Sequence, residues 1–228
     1  FPTRRSSDLI SFSLGIVSFT GIFALPQIPN VVVFSKMFNG LNSFTLLAVP
    51  LFILAANLMN EGAITDKLID CCTALVGRFR GGLAYANILV SMIFAGISGS
   101  SQADTAGVGK VFIPAMEKQG YDMGTTVGVT ATSSTLGSII PPSIIMVVYA
   151  GVANVSTGAL FMSGLVPGIL LGFAMMGVVK FYAKRKNFPI GEKTPVKQVV
   201  RQTLVSLPAL FTPVLLIGGI VTGWFTPT

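Results

Sequence analysis

Apolar stretches of helix length recur along the whole chain and are separated by short polar segments. Several of them approach the ~20 residues that an α-helix needs to cross a bilayer. Strands of a membrane barrel are shorter and alternate apolar with polar positions, so this pattern indicates helices. We therefore predict an all-α integral membrane protein built as a multi-helix bundle.

The flanking residues divide the chain into segments. Residues 9–62 hold two predicted membrane helices, with a shorter mixed segment between them that is typical of a helix lying at the interface. Residues 63–81 form an amphipathic helix, because their apolar side chains recur on one helical face. Further membrane helices are expected at 157–183 and over 203–228. Residues 1–8 are polar and basic and do not match these segments, so we interpret them as artefactual.

Prolines mark several helix boundaries. Pro26 and Pro29 are expected to end the first membrane helix, because neither can donate into a continuing helix. Pro50 is expected to kink the second. Pro141 or Pro142 is expected to begin a helix, since a proline in the first turn loses no hydrogen bond there.

One stretch, Phe94–Ser143, interrupts the apolar pattern twice. The first interruption, Gly96–Asp104, and the second, Thr132–Ser138, are both rich in glycine and hydroxyl side chains. A Pro-Pro-Ser sequence closes the second interruption. A bilayer tolerates non-helical backbone only where it is buried in protein or lines a polar cavity. Paired broken segments of this kind point to the ion and substrate site of a transporter.

The first interruption is expected at the tip of a re-entrant helical hairpin over residues 82–120. Basic residues precede the hairpin at Arg80 and follow it at Lys118, so both of its ends are expected on the cytoplasmic face. A single membrane span would place these ends on opposite faces. The second interruption divides a broken helix over residues 122–150. We expect the two elements to form a transport region over residues 82–156.

Composition supports the membrane assignment and narrows the chemistry. Hydrophobic residues make up 52% of the chain and charged residues only 10%, against about 25% charged in soluble domains. The net charge of +7 comes from basic residues in short loops, above all residues 184–202, and their placement fits cytoplasmic loops better than a nucleic-acid-binding surface, so we expect no nucleic-acid partner. The chain has no histidine and its two cysteines are adjacent, so we predict neither a metal centre nor a cofactor.

A helix that breaks inside the membrane presents two kinds of polar end. Carbonyl groups at the end of one half, together with Ser and Thr hydroxyls, suit a hard cation such as Na⁺. The N–H groups that begin the other half suit a carboxylate. Two breaks supply both kinds of end twice, so sodium ions and an organic anion could share one site.

Asp104 is the only acidic residue inside an apolar block. A charge at membrane depth costs at least about 2.5–3.5 kcal/mol, so this carboxylate must lie in a polar pocket or cap a helix. We favour the capping role, at the start of the second helix of the hairpin. Direct binding of a cation is the alternative.

Other interpretations of these residues stay open. The hydroxyls could donate back to helix carbonyls or serve as small residues at helix contacts. The sequence Gly96-Ile97-Ser98-Gly99 superficially resembles the nucleophile motif of a serine protease, but an intramembrane protease of the usual kind needs a histidine base. A pore or a structural membrane subunit would need no paired breaks.

At these residues the sequence resembles the large membrane subunit of tripartite ATP-independent periplasmic (TRAP) transporters. The stretches that carry the resemblance are Leu46–Asp70, Leu75–Gly107, Ile113–Asp122, Thr130–Ala150 and Leu165–Met175. The resemblance implies a sodium-driven importer of organic anions, typically carboxylates, in the bacterial inner membrane. It also implies a multi-pass protein with an elevator mechanism and two inverted repeats, each holding one hairpin and one broken helix.

The resemblance also implies partners and a division of the chain. The partners are a small membrane subunit, a soluble periplasmic substrate-binding protein, the lipid bilayer and the organic anion. Residues 9–62 correspond to scaffold-type helices, 63–81 to an arm helix, and 203–228 to a truncated second repeat, so we expect a fragment from the N-terminal half of a permease. A sodium-coupled carboxylate transporter that uses no binding protein is the closest alternative.

The resemblance assigns two sets of residues to the site. The expected sodium ligands come from both breaks and are Ser98, Gly99, Ser100, Ser101, Ser133, Ser134, Thr135 and Gly137. The residues expected near the substrate are Ser100, Asp104, Pro141, Pro142 and Ser143. Apart from the coupling sodium ions, no cofactor is implied.

Overall fold

A computed structural model describes residues 2–24, 29, 31–42, 44–61, 64–191 and 194–225. Within these residues the regular structure is helical, as the sequence predicts. The ten α-helices are α1 (Pro2–Phe23), α2 (Val31–Leu41), α3 (Ala48–Glu61), α4 (Ile64–Val76), α5 (Gly82–Ser98), α6 (Ser101–Lys118), α7 (Met123–Ser134), α8 (Ile144–Ala153), α9 (Thr157–Arg185) and α10 (Val196–Val221). The chain divides into two compact units, residues 1–43 and 44–228.

The first unit consists of α1 and α2. Helix α1 begins at Pro2 and runs unbroken into the apolar stretch, so most of the segment that the sequence sets apart is helical. Proline at the first helical position and the absence of a further proline before residue 24 allow this continuation. The rings of Phe19 and Phe34 pack edge to face, with their centroids 6.2 Å apart. Pro26, the predicted end of the first helix, lies outside the described residues.

In the second unit a short 3₁₀ turn, Phe44–Leu47, leads into α3. The predicted kink at Pro50 is wrong. Pro50 is the third residue of α3, where the backbone N–H has no partner inside the helix, and so the proline costs no hydrogen bond there. Helix α4 ends at Val76, before the predicted boundary, and packs on α5 and α10. The Ser206 hydroxyl fastens α10 to α4 by donating to the Lys67 carbonyl at 2.8 Å.

Helices α5 and α6 run antiparallel and are joined by only two residues, Gly99 and Ser100. Asn87 near the start of α5 faces Met116 near the end of α6, with 3.9 Å between the amide nitrogen and the sulfur. Most of α5 is buried, and its side chains, Phe94 among them, form the centre of the main core with Phe112 of α6 and with Leu136. A two-helix hairpin therefore stands where the sequence predicts one, and its depth in a bilayer remains a prediction.

The broken helix consists of α7, a 3₁₀ turn at Thr135–Ser138, an irregular segment and α8. Helix α8 begins at Ile144, so the prediction that Pro141 or Pro142 lies in its first turn is wrong. The serine that follows the prolines takes the capping position, because its side-chain oxygen can accept a hydrogen bond from the helix.

Helices α9 and α10 are long and apolar enough to cross a membrane, by their length and composition. The predicted basic loop over residues 184–202 is shorter in the structure. Helix α9 continues to Arg185 and α10 begins at Val196, directly after Pro195. The polar residues between Pro195 and the apolar part of α10 are good helix formers. Their charge suggests a loop in the sequence, but it does not prevent them from forming the first turns of the helix.

Candidate functional site

The tip of the hairpin is a tight turn whose shape requires glycine. Gly99 has a left-handed backbone (φ +61°), and its N–H donates to the Ala95 carbonyl at 3.1 Å, ending α5. A Cβ atom at this position would lie 2.5 Å from the Pro142 carbonyl oxygen. Ser100 then starts α6 as its N-cap and accepts a hydrogen bond from the Ala103 N–H at 3.3 Å. Both the turn and the cap follow directly from the Gly-Ser sequence.

The break between α7 and α8 is longer and depends on side chains. The Ser143 hydroxyl accepts from the Met146 N–H at 3.4 Å and donates to the Ser138 carbonyl at 2.9 Å. It therefore caps α8 and at the same time satisfies a carbonyl at the end of the 3₁₀ turn. Pro141 and Pro142 are buried beneath this link. The C-terminal end of one helix segment and the N-terminal end of the next thus face each other across one serine.

The two interruptions come together in space. The Ile144 N–H, at the start of α8, donates to the Gly99 carbonyl at 3.0 Å. A Cβ on Gly137 would approach the Ser100 carbonyl carbon and the Ser101 nitrogen to 3.0 Å, so the two backbones nearly touch. The hydroxyl oxygens of Ser101 and Ser138 lie 3.2 Å apart. The tip of the hairpin therefore rests in the break of the other helix.

Hydroxyl groups line the contact below the tip as well. The Thr105 hydroxyl lies 2.7 Å from the Ser134 hydroxyl and also donates to the Ser101 carbonyl at 2.8 Å. Within the second break, Ser134 and Thr135 donate to carbonyls three residues earlier, at 2.9 and 2.7 Å. Such bonds from a hydroxyl to a carbonyl of the same helix are what a purely structural role of these side chains predicts. They occupy the hydroxyl protons and leave oxygen lone pairs, which are what a cation binds.

A buried polar network joins α5 to α7 beside this contact. The Asn87 amide donates to the Thr130 hydroxyl at 2.8 Å, and the Ser91 hydroxyl lies 3.1 Å from the Ser133 hydroxyl. All four side chains are buried. Sequence reasoning missed Asn87 and Thr130 as part of the site. The available signal was an amide within the otherwise apolar α5, since a buried amide needs a partner.

Asp104 does not cap α6, so the predicted capping role is wrong. Ser100 holds that position, because the helix begins at Ser101 and places Asp104 in the fourth helical position. The Asp104 side chain is fully buried, the Ser91 hydroxyl of α5 lies beside its carboxylate, and among the described residues no lysine or arginine pairs with it.

The predicted site residues differ in their access to solvent. Ser98, Ser133 and Ser143 are fully buried, whereas Ser100 and Ser101 are partly accessible. Thr135 is exposed, on the face of its turn directed away from the core. The accessible oxygens therefore lie at the tip, and the buried ones hold the surrounding backbone in place.

A second feature lies at the other end of α7. Asp122 caps that helix, and its carboxylate contacts the Lys186 amine at 3.0 Å. Hydrogen bonds from Thr125, then from Lys186, lower the pKa of Asp122 to about 2. This ion pair opens onto an apolar cavity of about 630 Å³ between α7 and α9, which reaches Thr132 but not the tip of the hairpin.

The sequence also matches a known family and several curated proteins. Residues 7–228 match the family model for the DctM component of tripartite ATP-independent periplasmic transporters. The uncharacterised protein YgiK of Salmonella typhimurium is 42% identical over 222 residues, covering 96% of this chain and 51% of that protein. The C4-dicarboxylate TRAP transporter large permease protein DctM of Pseudomonas aeruginosa is 42% identical, over 85% of this chain and 45% of that protein.

The sialic acid TRAP transporter permease protein SiaT of Haemophilus influenzae is 41% identical, over 85% of this chain and 31% of that protein. The chain thus spans about half the length, or less, of these relatives. The family match extends over both interruptions and nearly all of the sequence, and it confirms the resemblance. The chain belongs to the DctM family of TRAP transporter large permeases, which are membrane transport proteins.

Proposed function

We propose that this chain is part of the large permease of a sodium-driven TRAP importer and forms its first repeat, with one hairpin and one broken helix. The observation that carries the proposal is the contact between the two interruptions, where the Ile144 N–H donates to the Gly99 carbonyl. Two separate breaks in a membrane helix bundle have no structural need to meet. A shared binding site explains why they do.

The chemistry of the contact suits sodium. The tip contributes hydroxyl oxygens at Ser100 and Ser101, and the broken helix contributes Ser134 and the carbonyls near Gly137. These ligands are neutral oxygens, which a hard monovalent cation prefers. In the proposed transport cycle, sodium fills the junction and fixes the tip against the broken helix.

The substrate is proposed to be an organic anion that binds at the helix starts. Helices α6 and α8 both begin at the junction, behind Ser100 and Ser143, and each directs the positive end of its dipole there. This arrangement can hold a carboxylate without a buried lysine or arginine. Among the relatives, one is named for C4-dicarboxylate and one for sialic acid, both of which carry carboxylates.

The proposed setting is the bacterial inner membrane, crossed several times, with a small permease subunit and a periplasmic binding protein as partners. An elevator movement of the hairpin and the broken helix against the remaining helices is the proposed mechanism. A sodium-coupled carboxylate carrier without a binding protein has similar site chemistry, and the family match favours the tripartite system. A serine protease is disfavoured because Ser98 is fully buried and the sequence offers no histidine base.

The test uses the whole permease with its partner subunits in proteoliposomes. Ser100→Leu and Ser134→Leu should abolish sodium-dependent uptake of the organic anion, because the larger side chain removes an oxygen and fills the junction. Ser163→Leu is the matched control, since Ser163 is exposed on α9 and donates to the Leu160 carbonyl in its own helix. Insertion is checked by the yield and monodispersity of each purified variant. Unchanged sodium dependence in properly inserted Ser100→Leu and Ser134→Leu variants would remove these residues from the site.

A further inference from the structure

Asp104 is a buried carboxylate for which the described residues provide no positive charge. Its side chain is fully buried, and the polar group that lies beside it is the neutral hydroxyl of Ser91. In the part of the chain that the structure describes, the ion pair that is formed joins Asp122 to Lys186 and leaves Asp104 without a cation. A buried carboxylate without a balancing positive charge is strongly disfavoured. The charge of Asp104 therefore favours a cationic ligand at this position.

The position of Asp104 shows which groups such a ligand would meet. Asp104, Val108 and Phe112 follow one another at four-residue spacing, and all three are buried, so they lie on the face of α6 that packs into the core. The Ser91 hydroxyl of α5 lies beside the carboxylate. That hydroxyl in turn lies 3.1 Å from the Ser133 hydroxyl of α7.

The neighbouring groups select the charge of the ligand. They are neutral hydroxyls, and Asp104 is the only acidic residue in the sequence between residues 82 and 116. One carboxylate with neutral oxygens balances one positive charge, whereas a divalent ion would leave an excess positive charge in a buried site. An organic anion would be repelled, so the assignment of Asp104 to the substrate does not fit this position.

We propose that Asp104, Ser91 and Ser133 bind a sodium ion inside the hairpin, about 6 Å, or four helical residues, below Ser100. This site is separate from the tip ligands Ser100, Ser101 and Ser134, and it takes Ser133 out of the set that the resemblance assigns to the tip. Its role in transport rests on the proposed function. The ion would connect α5, α6 and α7, the three helices that support the two interruptions. Loading it would therefore fix the hairpin before substrate binds.

The experiment counts sodium ions on the purified whole permease in detergent, without substrate, by equilibrium binding of ²²Na⁺. Asp104→Asn keeps the shape of the side chain and removes its charge, so it should bind one ion fewer per permease than the unmodified protein. Asp70→Asn is the matched control, because Asp70 is an exposed aspartate on α4, and it should bind the full number. An unchanged count in Asp104→Asn would overturn the proposal.

A second variant guards against misfolding and identifies the ligand set. Ser91→Ala keeps the carboxylate and removes one neutral oxygen, and it should weaken binding of the same ion at least tenfold. An unchanged affinity in Ser91→Ala would overturn the three-ligand site. If Asp104 carried a proton instead, Asp104→Asn would keep its sodium count and lose the pH dependence of uptake, which also overturns the proposal.

The experiments distinguish a failure of the proposed function from a failure of this inference. Loss of one bound ion in Asp104→Asn, together with normal sodium-dependent uptake in Ser100→Leu, would support the inner site and remove the site at the tip. Loss of uptake in Ser100→Leu with an unchanged count in Asp104→Asn would support the site at the tip and remove the inner site.

Discussion

The two interruptions meet at one junction, yet they are built differently. Two residues connect α5 to α6, whereas residues 135–143 connect α7 to α8. The short connection depends on a backbone shape that only glycine adopts easily, at Gly99. The long connection depends on a side chain, the Ser143 hydroxyl, which bonds to both helix segments.

The difference predicts how each side of the junction tolerates substitution. The tip has no room for a Cβ atom at Gly99, so almost any substitution of this residue should be damaging. In the break, losing a hydroxyl removes one cap and one carbonyl contact but leaves the backbone path possible. The tip should therefore be the rigid partner of the junction and the break the adjustable one.

The largest effect is expected from Gly99→Ala. The left-handed backbone costs an alanine about 1–2 kcal/mol, and the new Cβ would lie 2.5 Å from the Pro142 carbonyl oxygen. We expect a total loss of about 3 kcal/mol of stability, with loss of uptake, because relief of the clash must move the tip out of the break. Thermal unfolding of the purified permease measures the loss.

Gly120→Ala is the control for the backbone contribution. Gly120 also has a positive φ of 88°, but a Cβ there meets no atom within 4 Å. It should lose only about 1 kcal/mol, from backbone strain alone. Equal losses in Gly99→Ala and Gly120→Ala would show that the contact with Pro142 does not matter.

An intermediate effect is expected from Gly137→Ala, which tests the contact itself. Its Cβ would approach the backbone of Ser100 and Ser101 to 3.0 Å, so the junction must open by a few tenths of an ångström. We expect about 2 kcal/mol of destabilisation and a clear loss of sodium affinity in uptake assays. Gly128→Ala, in open space on α7, should instead stabilise by about 0.5–1 kcal/mol through helix propensity. A Gly137→Ala variant with normal sodium affinity would contradict a shared site.

The smallest effect is expected from Ser143→Ala. The change removes the cap of α8 and the bond to the Ser138 carbonyl, at a cost of about 1 kcal/mol in thermal stability, with uptake reduced but retained. Ser156→Ala removes the comparable cap of α9 without touching the junction. It should cost about 1 kcal/mol and leave uptake unchanged. If Ser143→Ala were as damaging as Gly99→Ala, the break would be no more adjustable than the tip.

Much of the fold follows from the apolar pattern, and its errors have local causes. The helical class, the hairpin and the broken helix could be predicted because each depends on residues close in sequence. The predicted kink at Pro50 is wrong because a proline bends a helix only when it lies beyond the first turn. Helix α3 begins just two residues before Pro50. The basic loop was too long because charge marks an aqueous position but does not prevent a helix, as the start of α10 shows.

The candidate site was harder to predict, because its contacts join residues far apart in the chain. Glycine and serine at the tip indicated a turn, but only the fold shows that Gly99 faces Pro142. The pairing of Asn87 with Thr130 spans 43 residues and has no local signature. The sequence favours Asp104 as a cap because aspartate commonly caps a helix start, but Ser100, four residues earlier, occupies that position.

The bond between Ile144 and Gly99 has a consequence for how specificity can diverge. It joins two peptide groups, so no side-chain exchange removes either its donor or its acceptor unless proline replaces Ile144. Side chains around it can therefore be exchanged during evolution without separating the hairpin from the broken helix. Under the proposed function, the same backbone could therefore be adapted to anions of different size and shape without losing the bond that joins the hairpin to the broken helix.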